Sequence, residues 1–313
     1  APSTRVWQGR PGVAGVYLER LVARKKKEVD TLLRRHQDSD DPLVMRMSYM
    51  ASECKYEITK SLKLDDEDKD RLHRMTVTVD MKKYSPTVPH KRNIVEFSSA
   101  GTFAGLLTEA GTDAFLINTD SIEYGGQLSD LSEARREVDS QRPPPGLAPA
   151  CICKDLIIHP VQIAQALQNG ASGVLLITAV VGADLEPLLD ACTLMGTEAL
   201  VEVHTPNELE FALSKGATIF LVNQWDRMTG EYFPEQAKGL ASMLPMNSVA
   251  VVGGNINSVE QAAEIGFYGY DGIVLGRALA ELPDVKAFID DIHDIRGPPR
   301  GMAMGMKGLP YAG

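Results

Sequence analysis

The 313-residue sequence has no long uninterrupted apolar run, so no membrane span is expected. It holds only four cysteines, Cys54, Cys151, Cys153 and Cys192, and they lack metal-site spacing. Cys151 and Cys153 alternate with Ile152 in a strand-like run. A C-x-C pair alone is a weak metal signal, so ordinary thiols in a reducing compartment are expected. No G-x-G-x-x-G opens a helix, and there is no Walker loop, no H-E-x-x-H and no Ser/His/Asp order. No metal and no cofactor are therefore called for. Excess positive charge is absent too. The net charge of −10 argues against nucleic acid as the main partner. Anionic ligands remain open, because they need only local Lys, Arg or backbone N–H groups.

What is present fits an ordinary globular chain, 44% hydrophobic and 24% charged. Its length suits one large α/β barrel or two ordinary domains. Residues 1–13 are punctuated by Pro and Gly. Residues 14–36 read as a helix with an apolar stripe of Leu18, Leu21, Val22, Val29, Leu32 and Leu33. The basic patch from Arg24 to Lys27 reads as a solvated face of that helix. Residues 37–75 read as irregular and charged, with an exposed turn at 65–70.

From there the chain becomes rhythmic. Apolar runs recur at 76–81, 114–119, 149–155, 173–178, 198–204, 218–223, 248–254 and 272–276. Most are rich in Val, Ile and Leu, as strands buried on both faces should be. Helix-like segments lie between them, several with start signals such as Pro160, Thr205 with Pro206, and Ser258. Eight such strands predict one parallel (β/α)8 barrel over 76–295, in the α/β class, behind an N-terminal helical extension at 1–75. An open doubly wound sheet is the alternative. The Gly-, Pro- and Met-rich tail at 296–313 cannot pack a core of its own; it reads as a disordered extension or as a segment that orders on a partner.

Catalytic groups of a parallel barrel gather at the C-terminal ends of its strands. Those ends carry Asp80, Lys82 and Ser85, then Asn118, Lys154, Glu202 with His204, and Asn223. Lys82, Lys154 and Glu202 in one ring make a cationic pocket with a carboxylate, suited to an anionic substrate and to proton transfer. The glycines after strands 7 and 8, Gly253, Gly254 and Gly276, would let backbone N–H groups close on a phosphate. Blander readings stand beside these. Glu202 could serve a structural ion pair, Lys154 could pair with Asp155, and His159 and His204 could be turn or capping residues.

These residues carry a family resemblance. LERLVARKKKEV at 18–29, DMKKYSPT at 80–87, FLINTDSIEYGG at 115–126, CKDLII at 153–158, ALVEVHTPNELEFAL at 199–213 and GIVLGRAL at 272–279 resemble the indole-3-glycerol-phosphate synthases. Those are TIM-barrel lyases of tryptophan biosynthesis. They close an anilino-deoxyribulose phosphate into an indole, losing CO₂ and water without cofactor or metal. By position the resemblance implies Lys154 as general acid and Glu202 as general base. Lys82 would hold substrate anions beside Asp80, and Asn223 would bind a hydroxyl. Ser85 and Pro86 would shape the first loop, and Tyr124 stands where a Phe covers the substrate. Gly254, Asn255, Gly276 and Arg277 would meet the phosphate.

The departures are specific. Asp80 replaces a Glu and draws the charge back by one methylene. The family's N-x-R after strand 6 becomes Asn223, Gln224, Trp225, so a neutral ring replaces a cation. Strand 7 ends Gly253, Gly254, Asn255 where E-S-G is usual, and Asn255 then needs a positive φ. Two readings follow. One is a synthase acting on a phosphorylated anion, its activity intact or degraded. The other is a non-catalytic barrel, a pseudoenzyme serving as scaffold or subunit of a plastid or other complex through residues 1–13, 37–75 or 296–313. The first residue, Ala1, suits a processed form that has lost an organelle transit peptide. The expected compartment is a chloroplast stroma or other organelle lumen, or else the cytoplasm.

Overall fold

All eight apolar runs become parallel strands, as segments rich in Val, Ile and Leu and buried on both faces should. They are β1 (Thr76–Met81), β2 (Ala114–Asn118), β3 (Ala150–Lys154), β4 (Gly173–Ile177), β5 (Glu198–Val203), β6 (Ile219–Asn223), β7 (Val249–Gly253) and β8 (Gly272–Leu275). Each pairs with the next in chain order, and β8 returns to β1, closing the sheet. At the seam Thr76 lies opposite Gly272 and Val79 opposite Leu275. The chain is thus a TIM barrel, and the open doubly wound alternative is excluded. The computed structural model describes residues 13–55, 57–63, 73–84, 97–141, 148–298 and 300, with side chains from Tyr17 onward except that of His73. Ser85, Pro86, residues 1–12, the acidic run at 65–70 and the tail from 301 lie outside the described residues.

The period-2 rule sorts each strand's side chains. Val77, Val79 and Met81 join the layer between sheet and helices. Leu116, Ile152, Leu175, Leu200, Leu221, Val251 and Val274 fill the barrel interior. Helix starts follow their capping residues. Thr205 accepts from Glu208 N at 3.2 Å, Ser258 accepts from Gln261 N at 3.3 Å, and His159 Nδ1 accepts from Val161 N at 3.1 Å.

The N-terminal extension is α1 (Val13–Arg35), α2 (Pro42–Ser48) and α3 (Glu57–Leu62). Two short helices therefore stand in a region whose sequence reads as irregular; periodicity is illegible over six or seven residues. α3 plugs the barrel floor with Ile58 and Leu62, both fully buried against Ala114, Ala150, Ile219 and Val249. Gly173 faces this plug, and a Cβ there would meet Ile58 Cδ1 at 2.5 Å. Chain segments from both ends meet beside it. Arg296–Gly297 pairs antiparallel with His73–Arg74. Arg300, also buried, donates to Gly269 O, Ser248 O and Asp271 Oδ2.

The basic patch of α1 is only partly solvated. Lys26 and Lys27 are exposed, but Lys25 is buried, its Nζ 2.9 Å from Asp155 Oδ1 and 3.4 Å from Asp120 Oδ2. Arg24 pairs with Asp120 and Glu123. Carboxylates just beyond β2 and β3 need cations where water is scarce, and α1 supplies them. This bolts α1 across the barrel mouth. No helix among the described residues is long and apolar enough to cross a membrane.

Ile58→Ala removes a fully buried side chain from the floor and leaves a cavity. A loss of about 3 kcal/mol is expected, read as a lower urea midpoint at unchanged m-value.

Candidate functional site

The mouth-side ends of seven of the eight strands build one polar layer at the barrel mouth, while β4 ends there in apolar Ile177. β1 contributes Asp80, with Lys82 one step beyond it; β2 contributes Asn118 and β3 Lys154. β5 contributes Glu202, β6 Asn223 and β7 Gly253, and Gly276 follows β8. Most of them line a cavity of about 290 Å³ together with Tyr124, Trp225, Arg227, Gly254, Asn255 and Arg277. Tyr17, Leu18 and Leu21 of α1 form another part of its wall.

Asp80 is the hub on one side. Its Oδ2 is 2.6 Å from Lys82 Nζ and 2.9 Å from Lys154 Nζ, and its Oδ1 accepts from Asn118 Nδ2 at 2.8 Å. Burial opposes its charge, but the two ammonium groups win and hold its carboxyl well below the usual range. Lys154 responds in the opposite sense. Burial pushes it down to about 8, against the pull of Asp80, with the Lys82 charge adding to the fall. The pairing of Lys154 with Asp155 does not occur. Asp155 goes to Lys25, and Lys154 points inward as strand alternation requires.

Glu202 is the hub on the other side, with its side chain wholly inaccessible. Arg227 grips both oxygens, Nε to Oε1 at 2.7 Å and Nη2 to Oε2 at 3.2 Å. Asn223 Nδ2 donates to Oε1 at 3.1 Å, and His204 Nε2 lies 2.9 Å from the same oxygen. Burial raises the Glu202 pKa, but Arg227 and His204 outweigh it and hold the carboxyl well below its ordinary value. His204 is more than a turn residue. Its Nδ1 meets Glu208 Oε2 at 2.9 Å, so the ring sits between two carboxylates. Burial disfavours its imidazolium, yet the bonds to Glu202 and Glu208 raise it to about 9.

Arg227 corrects the expectation of a lost cation. The position two beyond Asn223 is Trp225, a neutral ring, but a guanidinium enters from two residues further on. The intervening loop makes this reach possible. Asp226 Oδ1 accepts from Met228 N at 2.7 Å and Thr229 N at 2.9 Å, and Trp225 bridges to Tyr232 across the turn. The sequence signal was present, an Asp followed by Gly230 within the same loop, but it reads only as a turn. Trp225 lies against Tyr232, ring centroids 5.2 Å apart, and under the Arg277 guanidinium at 5.5 Å. It shapes the cavity wall without filling the cavity. Tyr124 accepts at its hydroxyl from Arg227 Nη1 at 3.2 Å.

The turn after β7 has two successive left-handed residues, Gly254 at φ 101° and Asn255 at φ 58°. Asn255 thus adopts the positive φ its position demands, which Asn tolerates better than most residues. The N–H groups of Gly254, Asn255 and Gly276 donate to no backbone carbonyl among the described residues. Arg277 begins a short 3-10 helix directly after Gly276. Among the described residues no group of three or more His, Cys, Asp or Glu side chains could hold a metal ion.

Comparison with known proteins agrees with this geometry. The family model for indole-3-glycerol phosphate synthase matches residues 18–292. The chain is 35% identical over 220 residues to the indole-3-glycerol phosphate synthase of Opitutus terrae, 70% of this chain and 80% of that protein. Against the indole-3-glycerol phosphate synthase of Roseiflexus sp. strain RS-1 it is 32% identical over 226 residues, 71% of this chain and 82% of that one. Among solved structures a 3-hexulose-6-phosphate synthase matches with a TM-score of 0.53 at 13% identity, over 71% of this chain and 100% of that chain. That last likeness is one of fold alone. The family match runs from α1 through all eight strands, and the chain belongs to the indole-3-glycerol phosphate synthase family.

Proposed function

We propose that the protein is a carbon–carbon lyase of tryptophan biosynthesis that closes an anilino-deoxyribulose phosphate into indole-glycerol phosphate. The observation that carries this reading is the inward-facing Lys154. Its ammonium is 2.9 Å from Asp80, at the wall of a cavity, with a pKa lowered to about 8. A lysine in that range is a far better proton donor near neutral pH than an ordinary one.

The proposed steps are those the family resemblance implies for these positions. The ring carbon attacks the substrate carbonyl while Lys154 gives its proton to the carbonyl oxygen. The ring carboxylate leaves as CO₂, which restores aromaticity. Glu202 then takes a proton from the new ring and a proton is returned to the hydroxyl, which departs as water, so the dehydration is proton-neutral. Lys82, beside Asp80, attracts the anionic ligand. Asn223 orients a hydroxyl, and Tyr124 covers the ring. Ser85 and Pro86 belong to the first loop of the same reading. The turns at Gly254–Asn255 and Gly276–Arg277 receive the phosphate through backbone N–H groups and one guanidinium.

A second reading has its own observation. The end of β7 carries no side-chain charge or hydroxyl at Gly253 and Gly254, and Glu202 is sealed from the cavity by paired donors. A non-catalytic barrel held in a larger assembly fits that. It predicts co-purification with the assembly, lost on truncation after Arg300. Truncation must begin there, since Arg296, Gly297 and Arg300 are tied to the barrel. A solitary and fully active protein contradicts it.

Two measurements test the first reading. Purified protein given the anilino-deoxyribulose phosphate is expected to release indole-glycerol phosphate, and Lys154→Ala to lower kcat by about 10²-fold or more. No turnover at high enzyme concentration, with no binding of a reduced substrate analogue, overturns the proposal. The pH profile carries a sign. The acid must be protonated in the free enzyme, so kcat/KM should fall as pH rises through about 8. A plateau that continues to pH 10 removes Lys154 as the acid.

A further inference from the structure

Lys154 has more to offer a ligand than a proton. Its side chain is 11% exposed and lines the cavity, with Nζ 2.9 Å from Asp80 Oδ2. The same carboxylate oxygen holds Lys82 more closely, at 2.6 Å. Burial pushes Lys154 down to about 8. Asp80 and Glu202 pull against that fall, and the Lys82 and Arg227 charges add to it. A lysine desolvated beside other cations supplies neutral amine near neutral pH, and a neutral amine is a nucleophile.

The second observation is the place of the glycine turns. A Cβ built at Gly276 would stand 3.7 Å from Lys82 Nζ and 3.8 Å from Asp80 Oδ2. The N–H groups of Gly276, Gly254 and Asn255 donate to no backbone carbonyl among the described residues, and Arg277 lines the cavity beside them. Lys82 is thus the cation next to this anion-binding turn, and Lys154 lies one carboxylate further in. Leu116, Leu156, Leu221 and Val274 give the same cavity apolar walls. A ligand whose phosphate occupies the turn can set a carbonyl carbon, a short chain away, against Lys154 Nζ.

We propose that the site forms an imine between Lys154 and a short phosphorylated aldehyde or ketone. The amine nitrogen attacks the carbonyl carbon, and a proton moves from nitrogen to oxygen to give a carbinolamine. The C–O bond then breaks as the hydroxyl takes a proton and departs as water, while the nitrogen lone pair forms the C=N bond. The proton taken is the one Lys154 gave up to become an amine, and Lys82 is placed to pass it on. Ammonium and carbonyl thus become protonated imine and water, with no oxidant or reductant. Asp80, which already holds the ammonium, stays beside the iminium. An anilino-deoxyribulose phosphate brings its own nucleophile, the aryl ring. A phosphorylated carbonyl compound without that ring leaves its carbon to the lysine. The adduct goes beyond the lyase reading and does not need it, since a barrel without turnover keeps the same amine and the same turn.

The test is reductive trapping on the full chain with glyceraldehyde 3-phosphate and sodium cyanoborohydride, read by peptide mass mapping. Glyceraldehyde without the phosphate is run beside it. The exposed Lys26 and Lys27 serve as the internal reference, since they have no reason to favour either aldehyde. Lys154 should label faster than they do and should prefer the phosphorylated probe by about ten-fold or more, as a tethered carbonyl does. Its labelling should rise with pH and level off above about 8, because the neutral amine attacks. R277A should lose part of the phosphate preference while the unphosphorylated aldehyde reacts as before. The wild-type comparison needs no variant, so a poorly folding R277A does not remove the test. Label on Lys82 instead of Lys154, equal labelling of Lys154 by the two aldehydes, or labelling that still climbs at about pH 10 as for an ordinary lysine overturns the proposal. Turnover of the anilino substrate is a separate measurement, so either reading can fail without the other.

Discussion

A carboxylate without access to water must be surrounded by donors, and Glu202 imposes that condition on the barrel mouth. Arg227, Asn223 and His204 all converge on it. His204 in turn requires Glu208, which reaches back from the first turn of the helix at 206–214. One buried charge thereby fixes the ends of two strands, the start of one helix and the course of the loop after β6. Such an arrangement contributes little net stability over apolar packing, because desolvation offsets the attraction. What it provides is a fixed set of charges at the open end of the barrel.

Asp80 repeats the logic across the cavity, again a carboxylate ringed by cations. One carboxylate serves two ammonium groups, so the pair of lysines keeps an excess of positive charge toward the cavity. The shortened side chain of Asp80 stays in contact with both Lys82 and Lys154. The methylene lost relative to Glu has not broken the cluster. α1 closes the same end by satisfying Asp120 and Asp155, the acids just outside the ring. The floor is left to apolar Ile58 and Leu62, where no chemistry is needed. Inside the barrel the two ends differ in polarity, with charge at the mouth and apolar side chains at the floor, while the Arg300–Asp271 pair sits outside the interior at the base.

Much of this was legible in the linear pattern. The eight strands were readable because segments buried on both faces have few substitutes for Val, Ile and Leu. Lys82, Lys154, Glu202 and Asn223 could be named because strand ends in a parallel barrel point to one place. The left-handed Asn255 followed from its position in the turn after β7. The short helices α2 and α3 were not legible, since six or seven residues give no helical period and their stability is tertiary. Nor were the destinations of Arg24 and Lys25, since a basic run on a helix looks the same whether it faces water or buried acids.

The sequence by itself determined the barrel and the identities of its inward-facing polar residues, because alternation is a local property of the chain. Only the tertiary structure decided who pairs with whom. Arg227 replaced the cation missing at position 225, Lys154 chose Asp80 over its neighbour Asp155, and His204 came to rest between two acids. Those choices depend on distances across the ring, between residues up to 74 positions apart in the case of Asp80 and Lys154. A charge buried far from water takes the nearest partner in space, and sequence separation does not encode that distance.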